Sequence, residues 1–474
     1  MKKTITTTFA ALLLLSACAT QDDADVLFSD TEKAIIKTLI YADPVSDASN
    51  AYESNSTAAT LGQKFFWDTR FSGGINIVGS RTVAGSIVSG AVVASGGASD
   101  YTAGQSRKIS CATCHDPNFG WADHTKPNNV SLGADFTDRN APTILNAAQN
   151  TYLLWDGSVD SVWSIMRPAI EGNPHNFGRA GVAYVICNSP SYLASYTAIF
   201  GTADTTPACA DGQLAVGAFP TAAKLWGKTS GTMYTGLASA AIRLNVDRIF
   251  ANYGKAIAAY EKLIVSKNSA FDQWANGNEN AMTVSQKRGL KIFIGKGNCI
   301  RCHSGPNFSD GSFHNLGVPQ NDLIGTTFDE GRYSGTTKLL TTTTAGNGYY
   351  NTASIYNDGA SSRVSGLSAS SSDTGKFKVP TLRSVTKTAP YFHNGTFESL
   401  WDVINFYNFA GNAGNFPGTK DTILTTRHMT NEEMEDLVNF LKALDGEALS
   451  STLTSKPTLT DDIPGGNWAI PSSP

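Results

Sequence analysis

Two short segments of this chain carry the same arrangement of two cysteines followed by a histidine. Residues 111–115 read Cys-Ala-Thr-Cys-His, and residues 299–303 read Cys-Ile-Arg-Cys-His, 188 positions further along. The paired thiols can bond covalently to the vinyl groups of a haem, and the histidine in the next position can ligate its iron. On one helical turn the residues at i, i+3 and i+4 share a face, so a single turn can hold both the porphyrin edge and the iron.

A Cys-x-x-Cys pair also occurs in zinc knuckles and in redox-active dithiols. The histidine that directly follows both pairs favours covalent haem over these alternatives. The sequence therefore predicts two covalently bound haem c groups. The attaching residues are Cys111 and Cys114 for the first haem and Cys299 and Cys302 for the second, and the expected iron ligands are His115 and His303.

The start of the chain has the features of an export signal. A basic N-terminus, an apolar run at positions 9–15 and a Leu-Ser-Ala-Cys sequence ending at Cys18 are typical of a bacterial lipoprotein leader. We expect residues 1–17 to be removed and the Cys18 thiol to be lipidated. This predicts an exported, periplasmic protein that contacts the membrane only through its lipid anchor, with the outer membrane as the expected one. The alternative is an ordinary signal peptide with an incidental cysteine.

Two cysteines remain, Cys187 and Cys209. In an oxidising compartment a disulfide between them is the expected state, and a free reactive thiol is the alternative. No segment beyond the leader reaches the 18 or so apolar residues of a membrane span. The formal net charge of −4 argues against nucleic acid as a partner.

Apolar residues recur at helical spacing along much of the chain. Helices are predicted over 58–70, 246–265 and 285–293, and a capping box opens a further helix at Thr430. Two polar, glycine-rich segments interrupt this pattern: residues 72–104 are expected to form a β-hairpin or flap, and residues 334–374 to form a surface loop. Residues 451–474 are expected to be an extended tail. The predicted fold class is mainly α, with one haem in each half.

Further motifs appear in order between Leu61 and Leu444. They are Gly-Gln-Lys-Phe-Phe-Trp-Asp at 62–68, Arg-Asn-Ala-Pro-Thr at 139–143, Trp-Asp-Gly at 155–157, Arg-Cys-His-Ser-Gly-Pro at 301–306, Pro-Thr-Leu-Arg at 380–383 and Ala-Pro-Tyr-Phe-His-Asn-Gly at 389–395. Together they resemble the bacterial dihaem cytochrome c peroxidase and MauG superfamily.

The resemblance implies two cytochrome c-like haem domains with long loop insertions. Residues 18–280 would form the N-terminal domain, with a haem that reacts with hydrogen peroxide. Residues 281–448 would form the C-terminal domain, with a haem that relays electrons, and residues 449–474 the tail. The resemblance also implies a calcium ion between the domains and a partner protein that serves as substrate or electron donor.

Single residues can be matched to the family in the same way. Trp155 corresponds to the tryptophan that passes electrons between the two haems, and an indole is large and oxidisable enough for that role, although a lone tryptophan is more often a core residue. The side chain of Asn140 and the carbonyl groups of Thr388 and Pro390 correspond to the calcium ligands. Hard oxygen donors suit calcium, but the same three residues could also serve only as turn formers.

The second haem lacks the methionine that often completes such a site. No methionine lies between Met282 and Met429, and the position fourteen residues after His393, where dihaem peroxidases have their methionine, is Tyr407. Tyrosine at this position resembles MauG and its relatives, which oxidise tryptophan in a partner protein. A phenolate ligand favours oxidised iron, whereas a thioether favours the reduced form. The alternative is that Tyr407 packs with other apolar residues of its helix.

The peroxide pocket departs from the family pattern. The family places a Gln, a Pro and then a Glu after Trp-Asp-Gly, and the Glu moves protons during cleavage of the O–O bond. Pro168 fits this pattern, but Asn176 stands where the Glu is expected. Glu171 and His175 are the nearest groups that can carry protons, and either could instead be a solvated loop residue.

Three functions remain open at this point. The leading one is a peroxide-dependent enzyme of MauG type that oxidises a partner protein. The second is a cytochrome c peroxidase that reduces hydrogen peroxide with electrons from a small donor protein. The third is a dihaem electron carrier without catalytic activity. Tyr407 favours the first over the second.

Overall fold

The computed structural model describes residues 26–74, 108–124, 130–212, 214, 237, 239–320, 328–360, 362–411 and 414–459. The predicted leader with Cys18 and nearly all of the 72–104 insertion lie outside these residues. The described part of the chain is mainly α-helical, as the sequence predicts. Within it, no helix is both long enough and apolar enough to cross a membrane.

Helices account for most of the secondary structure. In the first 265 residues they are α1 (Asp30–Leu39), α2 (Ser56–Trp67), α3 (Cys111–Cys114), α4 (Met166–Ile170), α5 (Arg179–Asn188), α6 (Pro190–Phe200), α7 (Thr205–Cys209) and α8 (Ala240–Glu261). They continue with α9 (Ala270–Ala275), α10 (Val284–Ile294), α11 (Arg332–Leu340), α12 (Leu400–Asn408), α13 (Asn431–Lys442) and α14 (Ser451–Thr454). Two short strands, β1 (Phe313–His314) and β2 (Phe377–Lys378), pair antiparallel, with Phe313 opposite Lys378.

The N-terminal core is built on the contact between α2 and α8. The predicted apolar stripe of α8 is buried and meets Phe65 and Phe66 of α2. The helices approach so closely that a β-carbon on Gly62 would lie 1.9 Å from the carbonyl oxygen of Ala256. Only glycine therefore fits at position 62, because no other residue lacks a side chain.

The C-terminal core repeats this arrangement with α10 and α13. The capping box predicted at Thr430 is present and begins α13. A β-carbon on Gly289 would lie 2.0 Å from the carbonyl oxygen of Asp436, so these helices also pack with backbones in contact. Helix α1 joins this core through Ile36 and Leu39, although it lies at the other end of the described chain.

The expectation that residues 334–374 decorate the surface is wrong for part of the segment. Tyr350 and Tyr356 are buried in the N-terminal core, and the Tyr349 hydroxyl donates a 2.8 Å hydrogen bond to the Asp247 carboxylate on α8. Because the segment is rich in serine and glycine, its composition did not indicate that these three tyrosines contact the core. The segment therefore crosses from the C-terminal sequence region to the N-terminal core and helps to bind the two halves together.

The region after α13 is also less extended than its composition predicts. Helix α14 lies against the N-terminal half, where the Tyr260 hydroxyl donates a 2.5 Å hydrogen bond to the Leu453 carbonyl oxygen. Residues 460–474 lie outside the described part. In the N-terminal half, Cys187 at the end of α5 and Cys209 at the end of α7 form a disulfide.

Candidate functional site

The first Cys-x-x-Cys-His segment folds into one helical turn. The Ser110 backbone N–H donates to the Thr113 hydroxyl at 2.9 Å, and the His115 N–H donates to the Cys111 carbonyl oxygen at 2.9 Å. Neither Cys111 nor Cys114 forms a disulfide. His115 Nδ1 lies 3.2 Å from the carbonyl oxygen of Trp121, the geometry of an N–H that donates to a carbonyl. That hydrogen bond leaves Nε2 as the nitrogen available to iron.

The second segment has the same local geometry. The His303 N–H donates to the Cys299 carbonyl oxygen at 2.9 Å, and His303 Nδ1 lies 2.9 Å from the carbonyl oxygen of Phe308. Burial lowers the pKa of both His115 and His303, which favours the neutral imidazole that a metal requires. Each histidine is thus oriented through Nδ1 by a backbone carbonyl.

A cavity of about 1330 Å³ lies beside the first segment. Cys111, Cys114 and His115 line it, together with apolar residues such as Ile257. Two thiols and one oriented imidazole on the wall of a large, partly apolar cavity are the donor set of a covalently attached haem. The residues present therefore fit the group that the motif predicts.

Trp155 lies where the two halves of the chain meet. Its indole N–H donates a 2.8 Å hydrogen bond to the Asn140 carbonyl oxygen, and its own carbonyl oxygen accepts a 2.8 Å hydrogen bond from the Lys378 backbone. Trp155 also lines the haem cavity. The structure thus brings the tryptophan into contact with a C-terminal strand, at the edge of the first haem cavity.

The oxygen donors that the resemblance implies for calcium lie on Asn140, Thr388 and Pro390. Asn140 is buried and donates its side-chain N–H to the Asp123 carbonyl oxygen, while its N–H donates at 2.8 Å to the carbonyl oxygen of His393. Within the described residues, nothing donates a hydrogen bond to Asn140 Oδ1 or to the carbonyl oxygens of Thr388 and Pro390. Side-chain and backbone oxygens of this kind suit calcium.

Pro168 and His175 both line the haem cavity. His175 Nδ1 lies 3.0 Å from the Phe71 carbonyl oxygen, and its Nε2 lies 4.0 Å from the Cys111 thiol. Burial lowers the pKa of His175 to about 4, so the imidazole is neutral near pH 7. His175 is therefore not a solvated loop residue, and it lies at the wall of the cavity next to Cys111.

Glu171, the second proton carrier expected from the sequence, is not among the residues that line the haem cavity. Its carboxylate is buried and accepts two hydrogen bonds from Arg179, of 2.6 and 2.8 Å. Arg179 is fully buried and also pairs with Asp247 at 2.9 Å. Among the residues that line the haem cavity are both neighbours of Glu171 but not Glu171 itself. The expectation of a catalytic Glu171 is corrected here, because Arg179 holds its carboxylate away from the cavity.

Tyr407 lies near the end of α12, beside the second pair of cysteines. Burial raises the pKa of its phenol, and the thiols of Cys299 and Cys302 are close enough to act in the same direction. Tyr407 is half-buried and lies outside the buried C-terminal core, whereas Ile404 on the same helix is part of it. Within the described residues, the Tyr407 hydroxyl has no hydrogen-bond partner. The ring of Tyr407 also packs against Phe392 and Phe406, so its hydroxyl lies near the second pair of cysteines at the edge of an aromatic cluster.

The methionines of the C-terminal half are engaged elsewhere. Met282, Met429 and Met434 are all buried in the C-terminal core, and the Met434 sulfur accepts a 3.6 Å hydrogen bond from the Asn408 side chain. Tyr407 is thus a side chain with an oxygen atom that the structure places beside Cys299 and Cys302.

Comparison with known proteins gives the family. Residues 99–225 match the sequence profile described as di-haem cytochrome c peroxidase. The chain is 30% identical over 383 residues to the cytochrome-c peroxidase IdrP1 of Pseudomonas sp. (strain SCT), an alignment that covers 79% of this chain and 83% of the relative. This chain belongs to the dihaem cytochrome c peroxidase and MauG family. As a member, it is an oxidoreductase with two c-type haems.

Other members of the dihaem peroxidase family are also similar to the chain. It is 27% identical over 354 residues to the methylamine utilization protein MauG of Methylorubrum extorquens, which covers 74% of this chain and 77% of the relative. The crystal structure of the dihaem peroxidase BthA from Burkholderia thailandensis E264 superposes with a TM-score of 0.55 and 18% identity, over 88% of this chain and 94% of that chain. At that identity the superposition shows the fold alone.

Among the polar residues of this dihaem peroxidase that line the haem cavity and that the sequence did not single out are Tyr253, Glu261 and Lys378. The Tyr253 hydroxyl is buried and has no partner within the described residues. Burial raises the pKa of Glu261 to about 8, so this carboxyl keeps its proton near pH 7. In the sequence, Tyr253 looks like part of an apolar helix stripe. The charge of Glu261, directly after that stripe, is the one sequence signal that could have indicated a functional role for Glu261.

Proposed function

We propose that this dihaem peroxidase is of MauG type. His115 would hold the haem that supplies the reaction with hydrogen peroxide, and His303 with Tyr407 would hold a second haem that shares the oxidising equivalents, so that a tryptophan of a partner protein is oxidised. The observation that carries this proposal is the Tyr407 hydroxyl, which lies beside Cys299 and Cys302 without a hydrogen-bond partner among the described residues. The 27% identity to a MauG protein supports it.

The choice of ligand determines what the second haem can do. When bound, the haems supply the redox-active iron. The Tyr407 side chain would contribute an anionic oxygen, which stabilises oxidised iron. Burial raises the pKa of the free phenol, so the side chain gives up its proton only when a positive charge such as ferric iron offsets that effect. Tyr407 therefore suits a haem whose iron remains oxidised until an electron donor reduces it.

The first haem cavity contains a group that can move protons. Cleavage of the O–O bond requires a proton to shift from one peroxide oxygen to the other. His175 is neutral, faces the cavity and is held at Nδ1 by the Phe71 carbonyl oxygen, so its Nε2 can accept and return that proton. We assign His175 the proton-transfer role that the family gives to a Glu.

Trp155 completes the proposed path. It contacts the first haem cavity and a strand of the C-terminal half at once, and its indole is hydrogen-bonded in a fixed orientation. A large aromatic ring held in this way is a suitable relay for electrons between two haems. The expected flow is from the partner's tryptophan to the second haem, then through Trp155 to the first.

A second function has its own support. The relative at 30% identity is named a cytochrome-c peroxidase. In that case the second haem would receive electrons from a small donor protein, and hydrogen peroxide would be reduced to water. The role of a carrier without catalytic activity has less support, because a carrier has no use for His175 in the cavity.

The deciding experiment replaces Tyr407 in the holoprotein. Tyr407→Phe should change the low-spin haem spectrum and stop the resting diferric protein from spreading peroxide oxidation over both haems, while mass spectrometry of the denatured protein still shows two haems. Tyr407→Met should instead require prior reduction before peroxide reacts, as in the cytochrome c peroxidase function. Tyr391→Phe is the control, since Tyr391 is another half-buried tyrosine of the C-terminal half and packs against its core. If Tyr407→Phe behaves like this control, the cytochrome c peroxidase function replaces the MauG type.

We also propose a calcium ion bound by Asn140, Thr388 and Pro390. The support is that their three oxygens accept no hydrogen bond within the described residues. Removal of calcium with a chelator should slow electron transfer between the haems, and added calcium should restore it. Asn140→Ala should show the slow transfer whether or not calcium is added. Equal rates with and without the chelator would contradict this site.

We propose, on the sequence of residues 1–18, that the protein is exported to the periplasm and anchored through lipid on Cys18. Metabolic labelling with a fatty acid and fractionation of cells test it. The parent should be labelled and recovered with the membrane, whereas Cys18→Ser should be unlabelled. An unlabelled parent in the periplasmic fraction would favour the ordinary signal peptide instead.

A further inference from the structure

Four positively charged residues line the first haem cavity, and three of them already have carboxylate partners. Arg139 pairs with Asp156 and Asp329 at 2.7 Å each. Lys338 lies 3.6 Å from Asp156, and Arg167 lies 3.6 Å from Glu171. The remaining cation is Lys378.

Lys378 differs from the other three cations in its surroundings. Its ammonium donates one hydrogen bond of 3.2 Å to the side-chain oxygen of Asn150, which also lines the cavity. No carboxylate contacts it within the described residues. Burial lowers the pKa of Lys378 to about 8, and no opposite charge offsets this effect. An ammonium group removed from water is unfavourable unless an anion accompanies it.

The haem that fills this cavity brings its own anions. Each haem carries two propionate carboxylates, on the side of the porphyrin away from the vinyl groups that the cysteines bind. Asn150, which accepts the hydrogen bond from the Lys378 ammonium, and Trp155, whose carbonyl oxygen accepts from the Lys378 N–H, line the same cavity. We propose that the Lys378 ammonium would bind a propionate of the first haem.

The backbone of Lys378 contacts Trp155 as well. Its N–H donates to the Trp155 carbonyl oxygen at 2.8 Å, and it lies on β2 opposite Phe313. One residue thus holds the haem edge through its side chain and the tryptophan through its main chain. Lys378 is a positioning residue, because it acts on the relation between the haem and Trp155 and not on the reacting atoms. This role requires only that the haem is present, whatever the partner or oxidant.

The test compares Lys378→Met with the parent holoprotein by spectroelectrochemistry and resonance Raman spectroscopy. Loss of a cation next to a propionate makes the haem harder to reduce. We expect the ratio of ferric to ferrous first haem at a fixed potential to rise about tenfold, which corresponds to about 59 mV for a one-electron couple. The propionate bending band of that haem should shift at the same time. Lys378→Arg keeps the cation and should stay within about twofold of the parent.

Lys338→Met is the matched control, because Lys338 lines the same cavity but already lies near Asp156 and is about half exposed. It should leave both readings unchanged. The proposal is overturned if Lys378→Met keeps the parent's potential and propionate band with both haems attached. It is equally overturned if Lys378→Arg changes as much as the methionine variant. Should methionine prevent folding, Lys378→Gln takes its place, with the same two readings expected.

Discussion

The indole N–H of Trp155 donates a 2.8 Å hydrogen bond to the carbonyl oxygen of Asn140. The backbone N–H of Asn140 in turn donates to the His393 carbonyl oxygen at 2.8 Å. The tryptophan next to the first haem is therefore linked through one residue to the C-terminal half. Its orientation depends on contacts from both halves, which is what a relay between two haems requires.

Replacement of Trp155 by Phe should leave both haems attached but slow their exchange of oxidising equivalents. Phenylalanine keeps an aromatic ring, but it is harder to oxidise and cannot donate to Asn140. Stopped-flow mixing with peroxide measures the exchange at the two haem absorption bands. A rate equal to that of the parent would show that Trp155 is only a packing residue.

The depressed pKa of His175 predicts how stability depends on pH. The unfolded histidine titrates near 6.5 and the folded one at about 4. Between these values the unfolded state binds more protons, so the folded protein loses stability as the pH falls. The contribution from His175 between pH 7 and pH 5 is about 2 kcal/mol.

Denaturant unfolding at pH 7 and pH 5 checks this contribution. His175→Gln has no ionisable ring, so its free energy of unfolding should fall by about 2 kcal/mol less than that of the parent over the same interval. The same variant should react with peroxide at least tenfold more slowly, because proton transfer of this kind contributes roughly 10²–10⁴-fold to a rate. An unchanged peroxide rate would remove His175 from the proposed mechanism.

Glu171 should matter for stability and not for peroxide chemistry. Glu171→Gln leaves the fully buried Arg179 with one carboxylate fewer, and breaking a buried ion pair costs about 3–5 kcal/mol. The folded fraction should nevertheless react with peroxide at the parent's rate. Thermal unfolding and single-turnover kinetics on the same sample separate the two effects. A normal melting temperature combined with a slow reaction with peroxide would show that Glu171 takes part in the peroxide reaction.

The disulfide between Cys187 and Cys209 closes a loop with a sequence separation of 22 residues. A cross-link over a loop of this size stabilises the folded state by about 3 kcal/mol, mainly because it restricts the unfolded chain. The double variant Cys187→Ser, Cys209→Ser should lose about that much free energy of unfolding while keeping both haems. Peptide mapping without reduction should recover the two cysteines linked, and recovery of two alkylated thiols would contradict the pairing.

Part of the candidate site follows from the sequence because its chemistry is local. The two Cys-x-x-Cys-His segments specify covalent haem within five residues each, and the hydrogen bonds of one turn bring thiols and imidazole together. The buried stripe of α8 and the capping box at Thr430 are equally local, since helical period and capping depend on near neighbours. The family motifs are also short stretches of sequence, and they placed Trp155 and Pro168 at the haem cavity.

Other features depend on residues far apart in the chain, and only the tertiary structure decided them. Glu171 looks like a catalytic carboxylate until Arg179, fixed in turn by Asp247, is seen to bind it. Lys378 reads as an ordinary strand residue, yet folding places its ammonium in a cavity without a carboxylate partner among the described residues. The sequence specifies which ionisable and polar groups a protein has, but burial and charge pairing determine what those groups do. Burial and charge pairing both arise from packing between distant segments.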